Sequence, residues 1–336
     1  MSYNYLKTKI VNKHKIFEYF CVYLLHMSKN ILVTGCCGFL GSNMCEFLVK
    51  KDYNVVGIDN LLTGKIDNIR NLRDNKRFKF VNHDVCVELN TNFNFDKILH
   101  FASTASPKDY LKYPIKTLRI GSIGTENMLK LAFENNASIL VSSTSEVYGD
   151  PLEHPQKESY YGNVNPIGPR GVYDEAKRYL EAITMAYHNK KKIDTKIVRI
   201  FNTYGPNMRV EDGRAIPNFI NQVINNKEIT IYGDGKQTRS FCYVDDTING
   251  IYKALNSNYN LPINIGNPSE YSINDLVKKI KSIIPSSSHT VFHQLPENDP
   301  KVRRPDITLA KEILDWEPKI SLEDGLKKTI LYYQNL

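Results

Sequence analysis

Tyr173 and Lys177, in the run Tyr173-Asp174-Glu175-Ala176-Lys177, stand four residues apart and would share one face of a helix. A phenol beside an ammonium is a candidate base. For such a tyrosine to take a proton near neutrality, its pKa must fall about three units from roughly 10, which requires about 4 kcal/mol. One cation about 4 Å away supplies energy of that order at an effective dielectric near 20. Upstream, Thr144, Ser145 and Glu146 follow directly on the β-branched run Ile139–Ser143. Ligands of open α/β sheets bind at the carboxyl ends of strands. A hydroxyl there can hold the substrate oxygen that loses its proton, and a carboxylate can act on a neighbouring group.

A second constellation is Thr34-Gly35-Cys36-Cys37-Gly38-Phe39-Leu40-Gly41, which closes the first apolar run and opens a helical one. Glycines at such a turn let the backbone approach a pyrophosphate, whose charge then rests on helix N-terminal amides. Gly35, Gly38 and Gly41, with Phe39 and Leu40 between them, are therefore candidate cofactor contacts. Asp59 ends the second run at close to the spacing expected of a ribose-binding carboxylate. It would repel a 2′-phosphate, so NAD is favoured over NADP, although Lys65 and Arg70 nearby weaken the preference. Asn60, Thr63 and Gly64 extend this contact segment, and Asp84 with Val85, after the third run, is placed at the adenine. An oxidised nicotinamide would add a positive charge to that of Lys177 beside Tyr173.

These groups need a scaffold. Ile31–Thr34, Asn54–Ile58, Phe78–Val81, Ile98–Phe101, Ile139–Ser143 and Lys196–Ile200 read as short buried strands separated by stretches of helical spacing. Such alternation predicts an α/β fold: a Rossmann-like, doubly wound parallel sheet with a smaller C-terminal α/β substrate-binding domain. After Ile200 the chain becomes rich in Gly, Pro and Asn, and Leu276–Ile284 and Leu322–Tyr333 read as amphipathic helices. The expected division is an appendage over 1–26, an NAD-binding domain over 27–200 that also receives about 241–265, and a mainly substrate-binding domain over 201–336.

At 336 residues, 41% hydrophobic and 24% charged, the chain is long enough for two domains and excludes fibrous or disordered classes. A net charge of +8 suits an anionic ligand, but no basic block is dense enough for nucleic acid, which is not expected as a partner. Six cysteines are scattered without a Cys-x-x-Cys pair or zinc spacing to histidine, so no metal is expected and reduced thiols in a cytoplasmic protein are. Ile16–Leu25 follows four lysines, yet it is short and contains Glu18, so a membrane anchor is not expected.

The glycine turn, the Tyr-x-x-x-Lys pair and the upstream hydroxyl together resemble the extended short-chain dehydrogenase/reductase superfamily. Longer segments are closer still to the UDP-glucuronate decarboxylase family. They include Ser143–Pro151, Gly162–Arg170, Arg199–Pro206, Tyr232–Gly235, Gln237–Phe241 and Arg303–Ile307, and the likeness runs from about Asn30 to Tyr333. The resemblance implies decarboxylation of UDP-glucuronate to UDP-xylose through a 4-keto sugar, with a hydride lent to NAD and returned. Tyr173 backed by Lys177 would deprotonate the 4-hydroxyl and Thr144 would hold that oxygen. Arg303 would orient the sugar carboxylate, and Glu146 would assist its expulsion or the reprotonation. Arg214 and Arg239 are implied for the diphosphate, with Tyr110, Asn202, Arg209 and Tyr232 completing the substrate contacts. A homodimer through a helical face is implied as well.

This chain departs from the family at three places: Cys36 and Cys37 replace Gly-Ala in the turn, Ser103–Pro107 differs, and Gly121 stands where an Asn is common. The first departure raises the question of a crowded pyrophosphate, the last that of a lost tie between the active-site helix and the sheet. The rival activities are a dTDP-glucose 4,6-dehydratase, for which Ser145 is a poor acid, and a nucleotide-sugar 4-epimerase, which has no need of Arg303. A non-enzymatic NAD-sensing module would be expected to have lost Tyr173 or Lys177.

Overall fold

A computed structural model describes residues 29–294 and 302–336, so the appendage expected over 1–26 lies outside the described residues. Seven parallel strands form one sheet: β1 (Asn30–Thr34), β2 (Asn54–Asp59), β3 (Phe78–Asn82), β4 (Lys97–His100), β5 (Ser138–Thr144), β6 (Thr195–Ile200) and β7 (Pro262–Ile265). Their order is β7-β6-β5-β4-β1-β2-β3. The succession reverses between β4 and β1, and a crevice opens at that point beyond the carboxyl ends of the strands.

Burial on both faces explains why the strands read as unbroken apolar runs rather than as alternation. Val33, Leu99 and Leu140 face one cluster, with Met44 and Leu48 of α1 (Phe39–Lys50) and Ile251 from the helix Val244–Leu255. Leu32, Ile98, Ile139 and Val141 face the other, with Met128 and Leu129 from the helix Thr125–Glu134 and Leu180 from Gly171–Lys191.

Three further helices matter for the site. These are α2 (Pro107–Lys112), α3 (Pro114–Arg119) and α4 (Thr125–Glu134), with a wide turn over Ile120–Gly124 joining the last two. Gly121 in that turn lies against α5 (Gly171–Lys191); a Cβ there would sit 2.8 Å from Ala176 Cβ. Close helix packing thus occupies the place where an asparagine tie was missing.

Beyond the sheet, two short strand pairs, Ile229–Tyr232 with Thr290–His293 and Thr238–Ser240 with Glu270–Ser272, build the smaller unit with helices such as Ile273–Ile283 and Leu322–Gln334. The first of these helices starts three residues earlier than its apolar pattern suggests. Ser272 Oγ accepts the Asp275 amide at 3.0 Å and caps it there. Residues 241–265 return to the main sheet as the helix Val244–Leu255 and strand β7. No helix among the described residues is long and apolar enough to cross a membrane.

Candidate active site

The strand register sets the site. Thr34 pairs with both Ile58 and His100, so the ends of β1, β2 and β4 lie side by side, while Thr144 at the end of β5 pairs with Ile200. A cavity of about 690 Å³ runs across these ends and under the smaller unit. Gly35, Gly38, Phe39, Leu40, Gly41, Asp59, Asn60, Thr63, Gly64, Asp84 and Val85 border one half of its lining. Thr144, Glu146, Tyr173, Lys177 and Arg303 border it too, as do Tyr110, Asn202, Arg209, Arg214, Tyr232 and Arg239. The candidate cofactor, catalytic and substrate residues named from the sequence therefore border one cavity.

The turn after β1 is shaped by two glycines. Gly35 has φ +69°, and a Cβ on Gly41 would lie 2.1 Å from the Gly35 carbonyl oxygen. The helix can start this close to the strand only without a side chain there. Cys36 and Cys37 are both fully buried, their sulfurs 3.8 Å apart. Cys36 fits because Gly57 on β2 has no side chain: a Cβ there would be 2.8 Å from its sulfur. The bulk of Cys36 is therefore taken up beneath the turn, and the glycine cradle and its amides fit a diphosphate.

Asp59 is buried at 9% exposure, and its oxygens accept the amides of Cys37 at 3.0 Å and Leu61 at 2.7 Å. Burial raises its pKa despite both bonds. Asp84 pairs with Lys116 and accepts Asn60 Nδ2 at 3.2 Å. Burial acts upward on it, but Lys116, the Cys86 amide and Asn60 prevail and hold it down at about 2.

The chemical centre lies where α5 meets the end of β5. Lys177 is 4% exposed and donates to the Ser142 carbonyl at 2.7 Å; its ammonium is 5.8 Å from the centre of the Tyr173 ring. Burial lowers its pKa to about 8, against the pull of Glu181. Tyr173 is 7% exposed, and the protein alone does not make it a strong base. Burial and then the Glu146 carboxylate push its pKa upward, while Arg214 and a hydrogen bond with Thr144 act the other way. Lys177, itself desolvated and bound to a carbonyl, does not offset that rise.

Glu146 is gripped from two sides, by Arg303 Nη1 on one oxygen and Arg170 Nη2 on the other. Arg303 Nη2 also donates to the Gly149 carbonyl at 3.2 Å. Burial works against ionisation of Glu146, yet Arg303 and Arg170 win and hold its pKa at about 2. On the substrate side, Arg214 Nη2 donates to Asp212 at 2.9 Å, Arg209 pairs with Asp109, and Arg239 Nη1 donates to the Thr238 carbonyl at 2.8 Å. Asn202 Nδ2 donates to the Ser240 carbonyl at 3.3 Å, and Tyr232, about half exposed, sits at the rim.

Three groups near this centre, two of them buried, escape sequence reasoning. His100 is 1% exposed, with Nδ1 2.8 Å from Thr34 Oγ1 and Nε2 3.3 Å from Thr125 Oγ1, so it bridges the sheet's reversal point. Its place at the end of β4 was the available signal. Arg170 sits just before the Tyr173 helix, and only the fold turns it toward Glu146. Asp174, next to the tyrosine, is 6% exposed.

Residues 32–329 match the family model described as GDP-mannose 4,6 dehydratase. The chain is 46% identical over 305 residues to UDP-glucuronic acid decarboxylase 1 of Danio rerio, covering 91% of this chain and 72% of the relative. A UDP-glucuronic acid decarboxylase 1 of Arabidopsis thaliana is also 46% identical over 305 residues, 91% of this chain and 70% of the relative. Among solved structures, the UDP-glucuronic acid 4-epimerase of Bacillus cereus in complex with UDP-glucuronic acid and NAD superposes with a TM-score of 0.80 at 32% identity. It covers 91% of this chain and 99% of that one. The UDP-glucose 4-epimerase of Thermotoga maritima with UDP-glucose gives 0.84 at 28% identity, covering 91% and 99%.

Proposed function

Because the chain belongs to the GDP-mannose 4,6 dehydratase family and aligns along nine-tenths of its length with UDP-glucuronic acid decarboxylases, we propose that it converts UDP-glucuronate to UDP-xylose and carbon dioxide. The observation that carries this reading is Arg303. Its guanidinium, 4% exposed, stands at Glu146 in the same cavity as Tyr173 and Thr144. A 4-epimerase of a neutral sugar needs no cation there, whereas an enzyme whose substrate is a sugar acid does.

NAD is the cofactor of this reading, supported by the glycine cradle, by Asp59 and by the NAD-bound relative; when bound it takes a hydride from C4 and gives it back. Tyr173 accepts the 4-hydroxyl proton, and Thr144 holds the oxygen. Lys177, fixed by the Ser142 carbonyl, keeps a positive charge beneath the ring. The 4-keto sugar is a β-keto acid, and its C6 carboxylate leaves as carbon dioxide because the electron pair is accepted by the ketone as an enolate. Arg303 orients that carboxylate. Protonation at C5, followed by return of the hydride and of the Tyr173 proton, gives the pentose. Arg209, Arg214 and Arg239 supply positive charge for the diphosphate, where a guanidinium's paired donors match phosphate oxygens.

The proposal includes a division into an NAD-binding part over 27–200 with 241–265 and a substrate part over 201–336. It also includes a homodimer, supported by Leu111, Ile115 and Leu118, which lie 54%, 74% and 40% exposed along α2 and α3. A cytoplasmic setting is part of the same reading, in keeping with Cys36, Cys37, Cys45, Cys86 and Cys242 standing outside any disulfide. Incubation with UDP-glucuronate, followed by mass analysis of the nucleotide sugar and capture of carbon dioxide, tests the activity. UDP-xylose with stoichiometric carbon dioxide is expected; UDP-galacturonate without gas would make the protein an epimerase.

A further inference from the structure

Behind Glu146 lies a second cavity of about 240 Å³, bordered by Glu146, Gly149, Asp150, Asn163, Asn165, Arg170 and Asp174 among others. Glu146 and Arg170 border the main cavity as well, so their side chains form the wall between the two. At the rim Asp150, Asn163 and Asn165 are exposed, while Asp174 at the floor is buried. A water occupies about 30 Å³, so the space admits several. Asp174 Oδ1 is buried without a hydrogen-bond partner. Such an atom is costly to keep unless it serves a purpose or meets water.

The chemistry requires a proton from this side. Loss of carbon dioxide leaves the electron pair of the broken C5–C6 bond on C5 of the enolate. A new C5–H bond then consumes one proton per turnover, taken from outside the substrate. Tyr173 cannot be its source, because the proton it takes from the 4-hydroxyl returns to that oxygen when the hydride returns. Glu146 has none to give at neutrality, being held ionised by its two arginines against the effect of burial.

We propose, on the strength of the decarboxylase reading, that Asp174 and the cavity above it form the proton entry of the enzyme: Asp174 passes a proton through water in that cavity to the Glu146 carboxylate, which delivers it to C5 and is left ionised as before, and Asp174 recovers a proton from solvent. Burial, and after it the nearby Glu146 carboxylate, push the Asp174 carboxyl up to about 7, with Glu175 adding to this and Arg170 and Arg303 opposing it. Asp150 is the remaining charged group bordering the cavity. The carboxyl is thus moved from the usual carboxylate range toward neutrality, which suits a group that gives and regains a proton each cycle. Asp174 acts through Glu146 and does not touch the sugar, so it is a relay residue.

The test compares Asp174→Asn and Asp174→Glu with the parent on UDP-glucuronate, reading reduced nicotinamide absorbance in a single turnover and UDP-xylose formation separately. In D174N, oxidation at C4 should stay within roughly twofold of the parent, while pentose formation falls about a hundredfold, the scale of a lost acid step. The parent's pentose-forming step should decline as pH rises through about 7. D174N should lack that decline and D174E should restore both rate and decline. Carbon dioxide release by the parent carries the decarboxylase reading, and the contrast between the two halves in D174N carries the relay. Equal slowing of both halves, an unchanged pentose-forming rate, or persistence of the alkaline decline in D174N would overturn it.

Discussion

The ring of Tyr110 lies stacked on that of Tyr173, with centroids 5.2 Å apart and planes 11° from parallel. Both are buried, at 2% and 7% exposure. Tyr110 belongs to the six-residue helix α2, so a short element reached through the unusual Ser103–Pro107 segment holds the candidate base in place. Such a stack contributes about 1 kcal/mol beyond simple burial. Tyr110→Ala should therefore lower kcat about fivefold through misorientation of Tyr173, and Tyr110→Phe should restore it. Failure of Phe to rescue would mean that the hydroxyl of Tyr110, not its ring, matters.

Tyr173→Phe removes the proton acceptor and leaves the stack and the packing in place. Turnover should fall by about three orders of magnitude, within the range of a lost general base. NAD affinity, read by fluorescence quenching, should change less than about threefold, because the substitution leaves the glycine cradle and Asp59 untouched. Substantial residual turnover would assign the base role elsewhere.

The strands and the glycine turn were legible because a doubly buried parallel sheet writes itself as unbroken apolar runs, and because a turn like that at Gly35 admits few side chains. The Tyr173–Lys177 pair was legible as spacing on one helix face. The electrostatics were not. That Lys177 binds a backbone carbonyl while Tyr173 is pushed upward depends on burial and on Glu146, which comes from the end of a different element. Nor could spacing reveal that Arg170 and Arg303, 133 positions apart in number, close on the same carboxylate. Cys36 reads as crowding; it fits because Gly57 on the neighbouring strand makes room, a fit that exists only once β1 and β2 are in register.

Arg303→Lys is expected to behave almost as badly as Arg303→Ala. Arg303 reaches Glu146 with one nitrogen and the Gly149 carbonyl with another, a fork that a single ammonium cannot reproduce. Arg303→Ala leaves Glu146 with only Arg170 as a cation in a buried setting, and loss of one partner of such a pair costs about 3 kcal/mol; a lysine ammonium reaches at most one of the two acceptors. The melting temperature should drop in both variants. Carbon dioxide release should fall by more than C4 oxidation does, so that reduced cofactor builds up during turnover. Equal loss in the two half-reactions would remove Arg303 from the carboxylate.

His100 makes the fold itself sensitive to acid. Burial, followed by the positive charge of Lys177, lowers its pKa from 6.5 to about 3, so it is neutral in the folded protein. Unfolding frees it to take a proton at any pH between those values. The unfolded chain then binds more protons than the folded one, and stability falls as pH drops below about 6.5. At 1.36 kcal/mol per unit the loss approaches about 4 kcal/mol near pH 3. His100→Asn should cost about 1–2 kcal/mol at pH 7, because contacts to Thr34 or Thr125 are lost. It should also flatten the acid side of the profile. Urea midpoints measured at about pH 7 and pH 5 should therefore converge between parent and variant. Parallel profiles would show that the imidazole is not the group that titrates on unfolding.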